Sequence, residues 1–290
     1  MTAPSPHTVE LGATGERWPT LGLGTWRFGE NTRAAEREAR LLERAIELGY
    51  RLFDTAEMYG EGGAEQVLGQ ALMRALRKPG VQREALRVVS KAYPHHGDEA
   101  GLLRACEASR RRLQLDTIDL YLLHWRGSIP LAETVRGFEQ LRHRGWIRHW
   151  GVSNFDVDDL DALLAVPDGV ACTSNQVYYS LSERGVEFDL LPLLRKRHIP
   201  LMAYCPIDGG RIARNARLAQ LAAPLHLSAA QLALAWLLRQ PGVIAIPKAG
   251  SEPHLLENWQ SRDTTIPEAV WSEIDALFPR PTRKQGLAMR

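Results

Sequence analysis

Asp54, Tyr59, Lys91 and His124 are the side chains whose types and spacing could do chemistry together. Asp54 closes the apolar run Arg51-Leu52-Phe53-Asp54, and Tyr59 follows in the loop Thr55-Ala56-Glu57-Met58-Tyr59-Gly60. Lys91 ends the run over 86–91, and His124 ends the run over 118–124. Polar groups at strand tips are costly to bury singly, so four of them make sense if the tips converge. A phenol beside an ammonium, steadied by a carboxylate and near an imidazole, is a proton donor tuned toward neutral pH. A free phenol has a pKa of about 10. Lys91 is expected to lower that value, with Asp54 keeping the lysine charged.

The elements that must position these groups alternate along the chain. Strands are expected over 21–24, 51–54, 86–91, 118–124, 147–153, 171–176, 200–205 and 243–247. Helical periodicity falls near 32–48, 62–77, 98–113, 130–144, 156–165, 183–197 and 228–239, with two further helices near 252–260 and 267–277. Asn31 and Thr32 are read as caps of the first helix and Asp98 as the cap of the third. Ser228 with Gln231 reads as a capping box. Eight strands alternating with helices, with polar residues recurring at strand ends, predict an α/β fold: a (β/α)₈ TIM barrel. The first 20 residues, with Gly12, Gly15 and Pro19, read as a short hairpin closing the barrel bottom, and the last two helices are additions. One domain is expected over 1–290.

Composition narrows the classes. A length of 290 residues with 44% hydrophobic content supports a large core, and a formal net charge of +2 argues against a nucleic-acid-binding protein. Cys106, Cys172 and Cys205 are sparse and unpaired in pattern, which predicts no disulfide framework and no zinc site and suits the cytoplasm. No signal-peptide core and no run of about 18 apolar residues is present, so no membrane association is expected. His95-His96 lies in a polar loop and is expected to be solvated rather than metal-binding. The fingerprint Gly-x-Gly-x-x-Gly is absent, because Leu21-Gly22-Leu23-Gly24 lacks the third glycine, which counts against a Rossmann dehydrogenase.

The stretch 54–60, with Lys91, His124, Gly151-Val152-Ser153-Asn154-Phe155, Gln176, Tyr204 and Ile246-Pro247-Lys248, resembles the aldo-keto reductase superfamily over about residues 21–258. Gly62-Gly63-Ala64-Glu65, Leu122-Leu123-His124-Trp125 and Asp189-Leu190-Leu191-Pro192 make it most similar to bacterial methylglyoxal-reductase-type members. The resemblance implies NADPH-dependent reduction of small aldehydes and ketones with broad specificity. Tyr59 would be the general acid, and His124 would orient the carbonyl and share the proton. It also implies a cofactor held extended across the barrel mouth.

Position by position, the resemblance assigns Ser153, Asn154 and Gln176 to the nicotinamide carboxamide and Tyr204 to stacking on its ring. Gly24, Thr25, Trp26 and Asp54 are further cofactor contacts. The loop containing Cys205, Pro206, Ile207 and Gly209 lies where the pyrophosphate would cross. Lys248 and Ser251 would take the 2′-phosphate and Asn258 the adenine. His254 stands where the family commonly has arginine. A histidine offers less charge and no bidentate fork, so NADPH preference is expected to soften, with weaker use of NADH possible. Trp26, Met58, Tyr93 and Trp125 are the expected substrate-pocket residues. Segment 279–290 is short and polar, so an open pocket is expected. Small carbonyl compounds are the expected partners, and a monomer the expected state. The rival from another class is a nucleotide-binding regulatory or sensor subunit of the channel β-subunit type.

Overall fold

The computed structural model describes residues 7–290. The start of the chain at 1–6, where a leader was judged absent, lies outside the described residues. Strands β1 (Thr8–Glu10) and β2 (Arg17–Pro19) pair antiparallel as the expected hairpin. The alternation then runs β3 (Leu23–Gly24), α1 (Ala35–Leu48), β4 (Leu52–Asp54), α2 (Gly63–Ala75), β5 (Arg87–Ala92), α3 (Glu99–Leu113), β6 (Ile118–Leu123) and α4 (Leu131–His143). It continues as β7 (Ile147–Ser153), α5 (Val157–Leu164), β8 (Asn175–Tyr178), α6 (Leu190–Lys196), β9 (Leu201–Tyr204), α7 (Ala216–Ala222), α8 (Ala229–Leu238) and β10 (Val243–Ala245). Helices α9 (Glu252–Gln260) and α10 (Glu268–Leu277) follow the last strand.

The eight strands β3 to β10 pair in parallel in chain order. The two ends meet: Leu21 bridges Ala245, Ala245 N–H donates to Thr20 O at 2.7 Å, and Gly24 N–H donates to Pro247 O at 3.0 Å. Gly24 permits this seam, since a Cβ there would lie 3.0 Å from the Ile246 carbonyl oxygen. Two cores result. The inner one joins Leu52, Val89, Leu120, Leu122, Met202 and Ile244 to Leu11 and Trp18 of the hairpin, which seal the bottom. The outer one packs the helices on the strands. That is the layering of a barrel filled by alternate inward side chains.

Several expectations need correction. The sixth strand lies at Asn175–Tyr178, not 171–176, because Asp168 adopts a left-handed conformation and Gly169–Ala171 forms a 3₁₀ turn. The helix expected over 183–197 is a 3₁₀ turn at Gly185–Glu187 followed by the shorter α6. Helix α7 was not expected; Asn215 caps it by accepting from Leu218 N–H at 3.0 Å. Asn31 accepts from Arg33 N–H within a turn and does not cap α1, which follows Ala34 with no side-chain cap. Asp98 caps α3, and Ser228 with Gln231 forms the capping box of α8.

Candidate active site

The parallel ladder brings four strand tips to one face. Gly24 pairs with Asp54, Asp54 with Val89, and Lys91 with Leu122. Lys91 is fully buried, yet its ammonium has three donors and three acceptors. It donates to Asp54 Oδ2 at 2.8 Å, to Thr55 O at 2.8 Å and to Tyr59 Oη at 3.1 Å. The other Asp54 oxygen accepts from Gln176 Nε2 at 2.8 Å. A buried charge is tolerated when paired and hydrogen-bonded, and here the pairing fixes the ammonium against the phenol. The Tyr59 and His124 rings meet edge-on with centroids 5.7 Å apart. His124 N–H donates to Ala92 O at 3.0 Å, and Asn154 Nδ2 donates to His124 O at 3.1 Å. Among the described residues, His124 Nδ1 is buried with no hydrogen-bond partner.

The electrostatics correct one expectation. Burial, then the Asp54 and Cys205 charges, push the Tyr59 phenol well above its ordinary value rather than toward neutrality. The Lys91 charge that would lower it is countered by Asp54 at 2.8 Å. Burial also lowers Lys91, with Asp54 and Glu65 acting in the opposite direction. Burial, helped by Lys91, holds His124 well below the usual histidine range. The face therefore presents a protonated phenol and a neutral imidazole.

A cleft of about 880 Å³ opens above these groups. Asp54, Tyr59 and His124 form its floor with Trp26, Met58 and Trp125 beside them, and Ser153, Asn154, Gln176 and Tyr204 line the middle. Tyr204 Oη donates to Asn154 Oδ1 at 3.0 Å, and its ring stacks on Tyr178 at 5.7 Å. Among the described residues no donor reaches Gln176 Oε1, whereas its Nε2 is used on Asp54 and Met202. Gly24, Cys205, Pro206, Ile207 and Gly209 continue the wall toward Lys248, His254 and Asn258. Lys248 has no carboxylate within ion-pair distance among the described residues; its ammonium lies 5.2 Å from the Phe28 ring centroid. Asn258 Nδ2 is buried without a partner among the described residues.

Besides Lys91, which lies fully buried behind the floor, three expected site residues do not line the cleft. Thr25 is buried with its hydroxyl donating to Asp54 O at 3.0 Å, so it supports the floor from behind. Tyr93 packs 4.9 Å from His95 and 6.1 Å from Trp125, and its N–H donates to Glu57 Oε1 at 2.6 Å. Ser251 precedes α9 with no side-chain cap and stays off the wall. His96 is not merely solvated: its Nδ1 lies 2.9 Å from Glu57 Oε1.

Sequence reasoning missed Arg27, Met289 and Arg290, all of which line the cleft. Arg27 could have been found, as a cation beside Trp26 at the first strand tip; its guanidinium lies 4.6 Å from the Trp26 ring centroid. No local signal marks Met289 or Arg290. The pocket is accordingly less open than a short polar tail implied. Among the described residues no cluster of three or more potential metal ligands occurs, the three cysteines are free, and no single helix is long and apolar enough to cross a membrane.

Comparison with known proteins places this geometry in context. The aldo/keto reductase family matches residues 20–278. The chain is similar to the methylglyoxal reductase YeaE of Escherichia coli, 42% identical over 93% of this chain and 95% of the relative. It is similar to the glyoxal reductase of Bacillus subtilis, 35% identical over 93% and 92% of the two chains. A crystal structure of an aldo/keto reductase from Klebsiella pneumoniae in complex with NADP and acetate superposes with a TM-score of 0.92, at 44% identity and over 98% and 99% of the two chains.

Proposed function

The chain belongs to the aldo/keto reductase family, and on that premise we propose that it reduces small aldehydes and ketones, methylglyoxal-like compounds among them, to alcohols with NADPH. One observation carries the reading: Lys91, buried and bonded to Asp54, donates to the Tyr59 hydroxyl on the floor of a cleft large enough for a dinucleotide and a small substrate.

The residues present fit NADPH. Asn258 offers a buried donor without a protein partner, suited to a heterocycle such as adenine. Lys248 is a cation with no ion-pair partner among the described residues, suited to the 2′-phosphate. His254 adds a weaker contact on the same wall, so NADH is used less well. Tyr204 offers a ring face for the nicotinamide, and Ser153, Asn154 and Gln176 offer polar groups for its carboxamide. When bound, NADPH supplies the hydride.

The chain supplies the rest. Tyr59 holds its proton, kept there by burial, and gives it to the substrate oxygen as negative charge develops. Lys91 stabilises the resulting phenolate, and Asp54 keeps the ammonium charged and aimed. His124, neutral, orients the carbonyl by hydrogen bonding. Trp26, Met58 and Trp125 give the substrate apolar walls without a specific polar anchor, which suits broad choice among small carbonyl compounds. We read the chain as one barrel domain, a monomer in the cytoplasm, where three free cysteines are at home. Relatives at 42% and 35% identity that are named as reductases support this reading over a regulatory subunit.

The test is NADPH oxidation measured against methylglyoxal, glyoxal, aromatic aldehydes and sugars. Turnover with the small dicarbonyl compounds is expected. Tight cofactor retention with no turnover on any of them would overturn the reading.

A further inference from the structure

The segment beyond α10 returns to the cleft mouth, and Arg290 ties it there. Arg290 Nη1 donates to Asp208 Oδ1 at 2.7 Å. Arg211 donates to the two oxygens of the same carboxylate at 2.8 and 2.9 Å, and the Tyr178 hydroxyl is a further donor. Two guanidinium groups thus share one carboxylate beside the loop 206–211. Gly209 sits against this cluster: a Cβ added there would lie 3.4 Å from Arg290 Nη1. Asp208, Gly209 and Gly210 take φ values of 54°, 60° and 85°, three successive left-handed residues. Aspartate enters that conformation more readily than most residues, and the donors around its carboxylate hold it there. Tyr178 connects the cluster to the redox end of the cleft, because its ring backs Tyr204.

We infer that Arg290 is a clasp: its ion pair with Asp208 straps segment 279–290 across the nucleotide cleft onto loop 206–211 and slows release of a bound dinucleotide. The inference rests on the cofactor reading above. Met289 and Arg290 form part of the wall, so a dinucleotide in the cleft has the strap beside its exit. The loop 206–211 lines the cleft where the bridging phosphates common to NADPH and NADH would cross, so the strap bears on both nucleotides alike. The Arg290 side chain is one-third exposed (33%), against 6% for Asp208, so the pair can open without stranding a deeply buried arginine. Arg290 is a positioning residue for the loop, and its signature is kinetic rather than selective.

The experiment is stopped-flow release of NADPH and of NADH, followed by protein fluorescence, from wild type, Arg290→Ala and Arg290→Lys. Loss of a part-exposed pair of this kind should speed release of both nucleotides by about 2- to 5-fold, by a similar factor for each. Arg290→Lys, which keeps the charge, should restore part of the slow release. Unchanged rates in Arg290→Ala would overturn the clasp. So would slower release, which would mean that the segment competes with the nucleotide. Wild-type protein that binds neither nucleotide would overturn the cofactor reading and the clasp together. Binding with a selective loss in Lys248→Ala but no change in Arg290→Ala would overturn the clasp alone.

Discussion

Asp54–Lys91 and Asp119–Arg83 are both ion pairs with a buried carboxylate, one at each end of the same barrel. At the bottom, Asp119 accepts from Arg83 Nη2 at 2.7 Å and from Val88 N–H at 2.9 Å. The Arg83 guanidinium also donates to Leu86 O and Thr117 O, and its side chain reaches solvent with 21% exposure. Arg148 Nε adds a second cation 3.4 Å from Asp119 Oδ1, and these side chains tie the backbone at Leu86, Val88 and Thr117 together. At the top, the lysine has no exposure at all, and its third donor is spent on a phenol that faces a cleft. Burying an ion pair costs about as much as it returns, so neither pair is explained by stability alone. The bottom pair holds loops in register. The top pair holds an ammonium against a hydroxyl that faces the cleft, as the proposed proton donor requires. What distinguishes a site from a strut is the third partner and the space it faces.

Substitutions at the two ends should therefore separate activity from stability. Lys91→Met removes the charge that stabilises the phenolate and should lower kcat by about 10²–10⁴-fold, read as steady-state NADPH oxidation. Asp119→Ala leaves the buried Val88 N–H without its acceptor, while Arg83 keeps Leu86 O, Thr117 O and solvent; it should cost about 1–3 kcal/mol in denaturant unfolding and leave kcat in the folded protein near wild type. If Asp119→Ala abolished turnover without destabilising, the contrast between the two ends would fail.

A smaller effect is expected at the far end of the cleft, where Lys248 forms no ion pair among the described residues. Lys248→Ala should weaken NADPH by roughly 10- to 150-fold and NADH far less, since only NADPH carries the extra phosphate. His254→Arg should tighten NADPH by supplying a permanent charge. Paired dissociation constants check both. Equal losses for the two nucleotides in Lys248→Ala would mean that this cation does not read the phosphate.

The convergence of Asp54, Lys91 and His124 at one end of the barrel was legible because a strand tip is a local signal. An apolar run closed by Asp54, Lys91 or His124 announces both the strand and the group it carries. The sixth strand was harder to read. Val170-Ala171-Cys172 is as apolar as a strand, but it follows a left-handed Asp168 and folds into a turn; ladder bonds begin only at Thr173, whose N–H donates to Trp150 O at 3.0 Å. Helix α6 is short because a 3₁₀ turn at Gly185–Glu187 takes up the start of the pattern, and Pro192 sits in the first turn of α6, where its missing N–H costs nothing. The acidity of Tyr59 was misjudged because proximity to Lys91 can be guessed from a sequence, whereas the depth of burial that outweighs it cannot. Arg290 was invisible for a different reason: its partner is Asp208, 82 residues away, and nothing local to a polar tail says that it folds back.

The central claim is that Tyr59 gives the proton and does not hold the cofactor. Turnover and NADPH affinity of Tyr59→Phe test it together, since the substitution removes one hydroxyl and keeps the ring. The account predicts a fall in kcat of about 10²–10⁴-fold with an NADPH dissociation constant close to wild type. Near-normal turnover of methylglyoxal by Tyr59→Phe would contradict it.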